Sequence, residues 1–231
     1  MCNRFRSSRS DRYLAERFQA WDDIEHQPRF NVAPTQPVVT IRQEAGKRKM
    51  AMMRWGLIPA GTSGLSAGHF FMNARSETVR TTPSFKNLIN RNRCLIPADG
   101  FYEWKKMEAI KQPYCFEVGA GDVFAFAGLW DEWKNPSGIV VTSCTILTTA
   151  ANSLIAAIHD RMPVILPPEK YELWLTPEAK MLDAALAALQ PYDANAMRRY
   201  PVSRRLNDSR NDDPECSQPI RIESSAQKQL F

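Results

Sequence analysis

The 231-residue sequence lacks the apolar segments that would place it in or across a membrane. No apolar run approaches the roughly 20 residues that a membrane-spanning helix needs. The first residues, Met1 to Ser7, do not form the apolar stretch of a signal peptide. These absences argue against the membrane and secreted classes. We therefore expect a soluble, cytoplasmic protein, associated with the nucleoid if its source is bacterial.

The sequence also has few metal-binding residues and no regular cysteine framework. It contains five cysteines, an odd number without a CxxC pair, and only three histidines, which are far apart. This pattern argues against a zinc site and a disulfide scaffold, so we expect no metal and no cofactor. Internal repeats, low-complexity tracts and long Gly/Ser linkers are absent too. We expect one domain over residues 1–231, a polar tail from about residue 207 that runs over the surface, and a monomer.

Positive charge is concentrated in the first part of the chain. Residues 1–100 contain 16 Lys/Arg and 8 Asp/Glu, whereas the remaining 131 residues contain 14 Lys/Arg and 17 Asp/Glu. Most of these cations are arginines, which bind phosphate groups with two parallel hydrogen bonds. The asymmetry suggests an anionic partner such as nucleic acid, although the charge alone favours a merely solvated surface.

Short strand-like runs dominate the middle of the sequence, and helical patterns lie at either side. Strands are predicted at 38–41, 50–55, 114–118, 123–129 and 139–147, the first two flanking a turn at Ala45-Gly46-Lys47. Helices are predicted over 10–25, with Leu14, Phe18 and Trp21 on one face, over 152–158, and after Pro168. A further helix is expected to start at Thr176 as its cap. The pattern indicates an α+β fold of antiparallel sheets curled into a barrel-like core with short peripheral helices.

Cys2 is the most unusual residue for chemistry. Once Met1 is removed, Cys2 carries a free amine and a thiol two carbons apart, with ordinary pKa values of about 8 and 8.5. An amine condenses with an aldehyde to an imine, and a neighbouring thiol then closes a five-membered thiazolidine ring. Serine would be a weaker nucleophile at this position. A cysteine in a frayed terminus without any function is the alternative.

Three further segments contain residues suited to acid–base or anion chemistry. His159 stands beside Asp160 and Arg161, either as an acid–base group near an anion or as a histidine satisfied within a turn. Glu103 lies among aromatic residues, where burial would raise its pKa, unless it is an exposed strand residue. Asn73 and Arg75 would share one face of a strand. Each signal is weak alone.

Together these segments resemble a known family. The residues that carry the resemblance are Met1 to Phe5, Asn31 to Pro34, Trp55 to Pro59, Asn73 to Thr78, Ala98 to Trp104, Phe126 to Trp130 and His159 to Pro163. In this order they resemble the SRAP family of SOS response-associated peptidases, or abasic site processing proteins. The similarity extends from Cys2 to roughly Pro219.

The resemblance implies an SRAP fold with a positive groove for single-stranded DNA that contains abasic sites. It also implies a DNA damage function in which Cys2 attacks the aldehyde of the abasic site and links protein to DNA through a thiazolidine. The roles it implies are an amine-orienting Asn73, a general acid–base Glu103 and a His159 that donates a proton for sugar ring opening. By the same resemblance, phosphates are bound by Arg4, Arg75 and Arg161, and Thr148 lines the site.

The family name adds a lyase-like and a peptidase (hydrolase) activity, including self-removal of Met1 with Glu103 as helper. One departure is Asn3, which stands where family members commonly have glycine. Two other functions stay open at this stage. One is a cysteine peptidase acting in trans, with Cys2 as nucleophile and His159 as base. The other is a non-catalytic module that binds single-stranded DNA reversibly.

Overall fold

The computed structural model describes residues 2–21, 24–63, 70–107 and 110–222. Within them the strands are β1 (Phe5–Ser7), β2 (Arg29–Val32), β3 (Pro37–Glu44), β4 (Lys47–Trp55), β5 (Asn73–Arg75), β6 (Arg93–Ala98), β7 (Gly100–Met107), β8 (Ile110–Val118), β9 (Phe124–Lys134), β10 (Val140–Ala150), β11 (Arg161–Pro163), β12 (Ile165–Leu166) and β13 (Met197–Pro201). The α-helices are α1 (Asp11–Phe18), α2 (Leu88–Arg91), α3 (Ser153–Ala156), α4 (Tyr171–Leu175) and α5 (Leu182–Ala187). Single 3-10 turns occupy Ser76–Thr78, Pro168–Lys170, Ala179–Met181, Ala194–Ala196, Arg204–Asn207 and Pro214–Ser217.

The strands form two sheets. The first is antiparallel, in the order β13-β8-β7-β1-β2. The second runs β11-β10-β4-β3-β6-β9-β12, and an additional pairing of β9 with β10 closes β10, β4, β3, β6 and β9 into a five-stranded barrel. The predicted α+β fold with a barrel-like core and short helices is confirmed. The second sheet is mixed, however, because β10 runs parallel to both β4 and β5.

The β3–β4 hairpin has the turn that its sequence predicts. Glu44 pairs with Lys47, which leaves a two-residue loop of Ala45 and Gly46. Their φ angles are 50° and 77°, in the left-handed region that two-residue hairpin turns require. Gly46 adopts this conformation without a steric penalty, whereas Ala45 does so against its preference. The hairpin therefore fixes the register of the two strands that form one wall of the barrel.

Gly128 lies at the tightest point of the barrel wall, in β9 between β6 and β10. A Cβ atom there would stand 2.9 Å from Cys94 Sγ, 2.9 Å from Ile96 Cδ1 and 3.0 Å from the Thr145 carbonyl oxygen. One of these neighbours is backbone, which cannot rotate away. The barrel closes around this position because no side chain occupies it.

We expect Gly128→Ala to lower the free energy of unfolding by about 1–3 kcal/mol, the usual cost of overpacking a closed core. Urea denaturation followed by tryptophan fluorescence measures it. Gly61→Ala is the matched control, because a Cβ at Gly61 meets nothing within 4 Å. Equal unfolding midpoints for the two variants would contradict the role assigned to Gly128.

Helix α1 begins and packs as predicted but ends earlier. The Ser10 hydroxyl accepts a hydrogen bond from the Tyr13 amide as the N-cap, and Leu14 and Phe18 are buried. The helix ends at Phe18, with Gln19 in a left-handed conformation. Trp21, predicted to continue the apolar stripe, is 66% exposed, so that part of the prediction is wrong.

The helical region after Pro168 differs from the prediction at Thr176. Thr176 ends α4, and its hydroxyl donates to the Glu172 carbonyl at 2.8 Å, so it does not cap the next helix. A 3-10 turn intervenes, and α5 begins only at Leu182. The helix packs through apolar residues, since Ala185 and Leu189 are buried in the core.

The segment from Asn207 to Gln218 is anchored to the first sheet, which corrects the prediction of a tail that runs over the surface. Asp212 accepts hydrogen bonds from the amides of Phe30 and Asn31, at 2.6 and 2.8 Å. The fully buried Asn31 side chain donates to three carbonyl oxygens of this region, those of Leu206, Asp208 and Asn211. Cys216 is also fully buried. We call residues 203–217 the C-terminal wall.

His26 and the five cysteines are buried. The His26 Nε2 lies 3.2 Å from the Ser7 carbonyl and 3.4 Å from the Ser7 hydroxyl. All five cysteines are reduced. Met1, residues 64–69, which include His69, and residues 223–231 lie outside the described residues. In the described part of the chain, no helix is long and apolar enough to span a membrane.

Candidate active site

The register of β1 and β7 brings the start of the chain to Glu103. Phe5 pairs with Phe101 in antiparallel orientation, and the Tyr102 amide donates to the Arg4 carbonyl at 3.0 Å. Continued by two residues, this register places Asn3 opposite Glu103. Cys2 follows directly, and Glu103 lies close enough to influence its ionisation electrostatically. The antiparallel ladder thus joins residues that are a hundred positions apart in sequence.

Cys2 is fully buried in its surroundings. Its thiol lies 3.7 Å from the Arg4 carbonyl oxygen, the acceptor of a weak hydrogen bond. Burial raises the pKa of the Cys2 thiol strongly, and the carboxylate of Glu103 raises it further. The sulfur is therefore held as a neutral thiol at neutral pH. A base must take its proton before or while the sulfur forms a bond.

Glu103 is buried, so the exposed alternative considered for it is wrong. Only 4% of the residue is exposed, and this burial raises the pKa of its carboxyl, with smaller opposing effects that include the charge of His159. A carboxyl with a raised pKa can give and take a proton near neutral pH. Glu103 therefore has the environment of a general acid–base group directly beside Cys2.

Asn73 holds the backbone of Cys2 from the other sheet. Strand β5 pairs in parallel with β10, Asn73 opposite Ile146, and places Asn73 and Arg75 on the same face as predicted. The Asn73 side-chain Nδ2 donates to the Cys2 carbonyl at 3.0 Å and lies 3.4 Å from Asn3 Oδ1. Its Oδ1 is buried and accepts no hydrogen bond from the described residues. A donor on Cys2 would satisfy this oxygen.

His159 is partly exposed and has a defined tautomer. Its Nδ1 accepts a hydrogen bond from the Arg161 amide at 3.0 Å, so the neutral ring carries its proton on Nε2. The same Nδ1 lies 2.9 Å from Asp160 Oδ1, a contact that is attractive when the ring is protonated. Asp160 is exposed, so this contribution is screened by water.

The three arginines suggested for phosphate binding have different environments. Arg161 forms a two-pronged ion pair with Glu77, at 2.5 and 2.8 Å, and also donates to the Thr148 carbonyl at 2.7 Å. This pair lowers the pKa of Glu77. Arg75 is exposed. Arg4 is partly buried, and burial lowers its pKa, which Asp208 opposes. A phosphate would meet the exposed Arg75, whose charge also acts on Glu77, but would have to share Arg161 with that carboxylate.

Thr148 lies behind Arg161. Its side chain is fully buried, with the hydroxyl 3.4 Å from the Ala74 carbonyl and 3.3 Å from Arg161 Nη2. It pairs directly with Arg75 in the parallel ladder of β5 and β10. Thr148 is therefore a buried residue that contacts Arg161 and pairs with Arg75, and it does not form the surface of the site.

An open cleft of about 390 Å³ lies beside Glu103 and His159, and neither Cys2 nor Asn73 is among its lining residues. It is lined by Asn3, Arg4, Glu103, Trp104, Lys111, His159 and Asn207. The cleft unites Arg4, Glu103 and His159, whereas Arg75 and Arg161 lie outside its lining. Among the described residues, no group of three His, Cys, Asp or Glu side chains is arranged to hold a metal ion.

Three residues of the cleft were missed by sequence reasoning. Trp104 follows Glu103 in the chain, and its indole nitrogen donates to Asn207 Oδ1 at 2.7 Å in the C-terminal wall. Lys111 lies on the neighbouring strand β8. An aromatic residue between two polar ones could have indicated Trp104, but nothing local indicates Asn207. Its place depends on the long-range bonds that anchor the wall.

Comparison with known proteins agrees with this architecture. The family model described as SOS response associated peptidase (SRAP) matches residues 1–209. The chain belongs to the SRAP family. It is 40% identical over 219 residues to the "Abasic site processing protein YoqW" of Bacillus subtilis, covering 93% of this chain and 98% of that protein. The SRAP resemblance inferred from the ordered motifs is therefore confirmed.

More distant SRAP relatives extend the comparison. The chain is 30% identical over 230 residues to the "Abasic site processing protein HMCES" of Xenopus tropicalis, covering 86% of this chain and 68% of that protein. A crystal structure of a Bacteroides thetaiotaomicron protein superimposes with a TM-score of 0.86 at 28% identity, covering 95% of this chain and all of that one. The SRAP fold is thus shown by sequence and by structure.

Proposed function

We propose that this SRAP protein processes abasic sites by forming a covalent link between Cys2 and the ring-opened aldehyde of the lesion in single-stranded DNA. The observation that carries the proposal is the arrangement of Cys2 between Glu103 and Asn73. The relatives named above as abasic site processing proteins support the choice of substrate. The link shields the damaged strand in a DNA damage response.

The reaction balances with water as its only by-product. After removal of Met1, the Cys2 amine attacks the aldehyde carbon, and loss of the aldehyde oxygen as water gives an imine. The thiol then adds to the imine carbon, its proton passes to the nitrogen, and a thiazolidine ring closes. Positioning both groups beside one carbon replaces a bimolecular encounter by an effectively unimolecular step.

Each neighbour of Cys2 has a role in this scheme. Asn73 Oδ1, which lacks a donor among the described residues, accepts a hydrogen bond from the free Cys2 amine and orients it. Glu103 moves the protons that leave the amine and thiol and those that make water of the aldehyde oxygen. His159 donates a proton to the sugar during ring opening. Glu103 also assists the hydrolysis that removes Met1.

The environment of the thiol disfavours a cysteine peptidase acting in trans. Such enzymes attack with a thiolate whose pKa is lowered by a neighbouring cation. Here burial and Glu103 act in the opposite direction and raise the pKa of Cys2. Amine-first attack on an aldehyde does not need the thiolate at the start, so it fits this environment better.

Intact-mass spectrometry tests the proposed function. The protein is mixed with a synthetic single strand that contains one abasic site, and with the same strand lacking the lesion. We expect a protein that has lost Met1, and an adduct whose mass is that of this protein plus the strand less one water molecule. Reversible binding without any adduct would instead indicate a non-catalytic DNA-binding module. Turnover of added peptides would indicate a peptidase.

The phosphate contacts give a separate prediction. Replacing one phosphate-binding arginine should lower the slope of log K against log salt by about 1, since each neutralised phosphate releases counterions. We expect this for Arg75→Gln and Arg161→Gln, measured by fluorescence anisotropy with undamaged single strands. Arg12→Gln is the control, because Arg12 is exposed on α1 and pairs only with Glu16 among the described residues. An unchanged slope would remove the arginine concerned from the DNA interface.

A further inference from the structure

A buried cluster of charge surrounds Arg6 in β1, the strand that begins three residues after Cys2. Arg6 is not among the residues that line the cleft. Its Nε lies 3.2 Å from Asp99 Oδ2, and its Nη2 donates to Glu117 Oε1 and to the Asp99 carbonyl, each at 2.8 Å. The side chains of Arg6, Asp99 and Glu117 are 10%, 2% and 4% exposed. These are charges that water scarcely reaches.

The cluster connects β1 to most of the first sheet. Glu117, on β8, also accepts hydrogen bonds from Arg198 and from the Tyr200 hydroxyl of β13, at 2.7 and 2.6 Å. Asp99, just before β7, accepts from the Ser8 amide at 2.9 Å. Side-chain hydrogen bonds thus connect Arg6 to Glu117 and the neighbouring Ser8 to Asp99, in addition to the backbone hydrogen bonds of β1.

A contribution to the stability of the fold does not by itself explain such a buried ionic cluster. Desolvation of buried ion pairs offsets much of their attraction, and well-packed apolar residues often give equal or greater stability. Buried ionic groups are better attested where they fix a single register. A strand of three residues near a chain terminus needs such a device, because termini fray. A slip of β1 by one residue would move every side chain to the opposite face.

The position of Cys2 depends on this register. Cys2 is four residues before Arg6. Between them, the Arg4 carbonyl accepts a hydrogen bond from the Tyr102 amide in the same ladder. Among the contacts of the described residues, none joins Arg6 to Cys2 directly. The bonds of Arg6 to Asp99 and Glu117 therefore determine the register of β1. This register in turn determines whether the Cys2 amine and thiol lie beside Glu103 and Asn73.

We infer that Arg6 is a positioning residue for the nucleophile: its buried bonds to Asp99 and Glu117 lock the register of β1 and so hold Cys2 in its reactive place. This inference rests on the proposed function. It assigns the cluster to the rate of bond formation and not to DNA binding, because the Arg6 side chain is only 10% exposed and does not line the cleft.

Single-turnover kinetics test the inference by separating rate from affinity. For Arg6→Met, we expect the limiting rate constant of adduct formation to fall about 10- to 100-fold, since a displacement of about 1 Å can cost 100-fold. The DNA concentration that gives half the limiting rate should change less than twofold. Arg6→Lys keeps the charge but loses the fork of donors, and should give an intermediate rate constant.

Arg198→Met is the matched control. It removes another partner of Glu117, but from β13, which does not touch β1. It should lower the melting temperature while leaving the limiting rate constant unchanged. If Arg6→Met does not fold, Arg6→Lys against Arg198→Met decides the question. Wild-type rate constants in the folded Arg6 variants, or an equal loss in Arg198→Met, would overturn the inference.

The wild-type protein in the same experiment keeps the two proposals apart. Absence of any adduct with wild type would refute the proposed function itself. A normal wild-type adduct, together with unaltered Arg6 variants, would refute only the positioning role.

Discussion

Cys2→Ala should abolish the heat-stable adduct with abasic DNA, a loss of at least about 1,000-fold at the detection limit of denaturing gels, because without sulfur only an imine forms and an imine hydrolyses on heating. Cys2→Ser retains the amine and a weaker nucleophile. Its product should appear only when borohydride reduces the imine before denaturation. This pattern would assign the amine and the thiol to successive steps.

Cys216→Ala is the control for the loss of a buried thiol. Cys216 is fully buried in the C-terminal wall and contacts Asn211, not the cleft. It should form the adduct at the wild-type rate. A heat-stable adduct from Cys2→Ala, at a rate like that of Cys216→Ala, would show that another residue is the nucleophile.

Glu103→Gln should slow adduct formation by about 100- to 10,000-fold, the usual contribution of a general acid–base group. The substitution keeps shape and removes the titrating proton. The wild-type rate should depend on pH through a group whose pKa lies above that of an ordinary glutamate, because burial raises the pKa of Glu103. This dependence should be absent in the variant. A wild-type profile retained by Glu103→Gln would assign the proton transfer to another group.

The same substitution should make the protein more stable at neutral pH. A carboxyl whose folded-state pKa is raised contributes stability that is present at low pH and lost as the pH rises through that pKa. Glutamine has no such loss. Urea unfolding should therefore show equal stabilities at acidic pH and a growing advantage for Glu103→Gln towards neutral pH. If the free energies of unfolding of the two proteins differed by a constant amount across the pH range, burial would not raise the pKa of Glu103.

The sequence predicted correctly those features that depend on residues close together in the chain. The Ser10 cap, the Ala45-Gly46 turn and the shared face of Asn73 and Arg75 each depend on residues within a few positions of one another. Thr176 shows the limit of such reasoning. Its side chain can bond backward to Glu172 as well as forward, and the neighbouring 3-10 turn decides between the two.

Long-range pairing accounts for what could not be predicted. The parallel contact of β4 with β10 joins strands about ninety residues apart, and neither strand's sequence indicates its direction. The polar composition after Asn207 suggested a loose tail, yet Asp212 and Asn31 bond it to β2. The sequence left open whether Glu103 is buried or exposed. The residues around it in the cleft come from distant parts of the chain, namely its start and Asn207.

The C-terminal wall has a consequence for the order in which the site is completed during synthesis. Cys2 leaves the ribosome first, but Asn207, which bonds Trp104 at the rim, follows only after two hundred further residues have been translated. If the proposed function holds, a nascent chain would present its aminothiol before the cleft beside it is complete. We would then expect capture of DNA by finished molecules and not by stalled or truncated products.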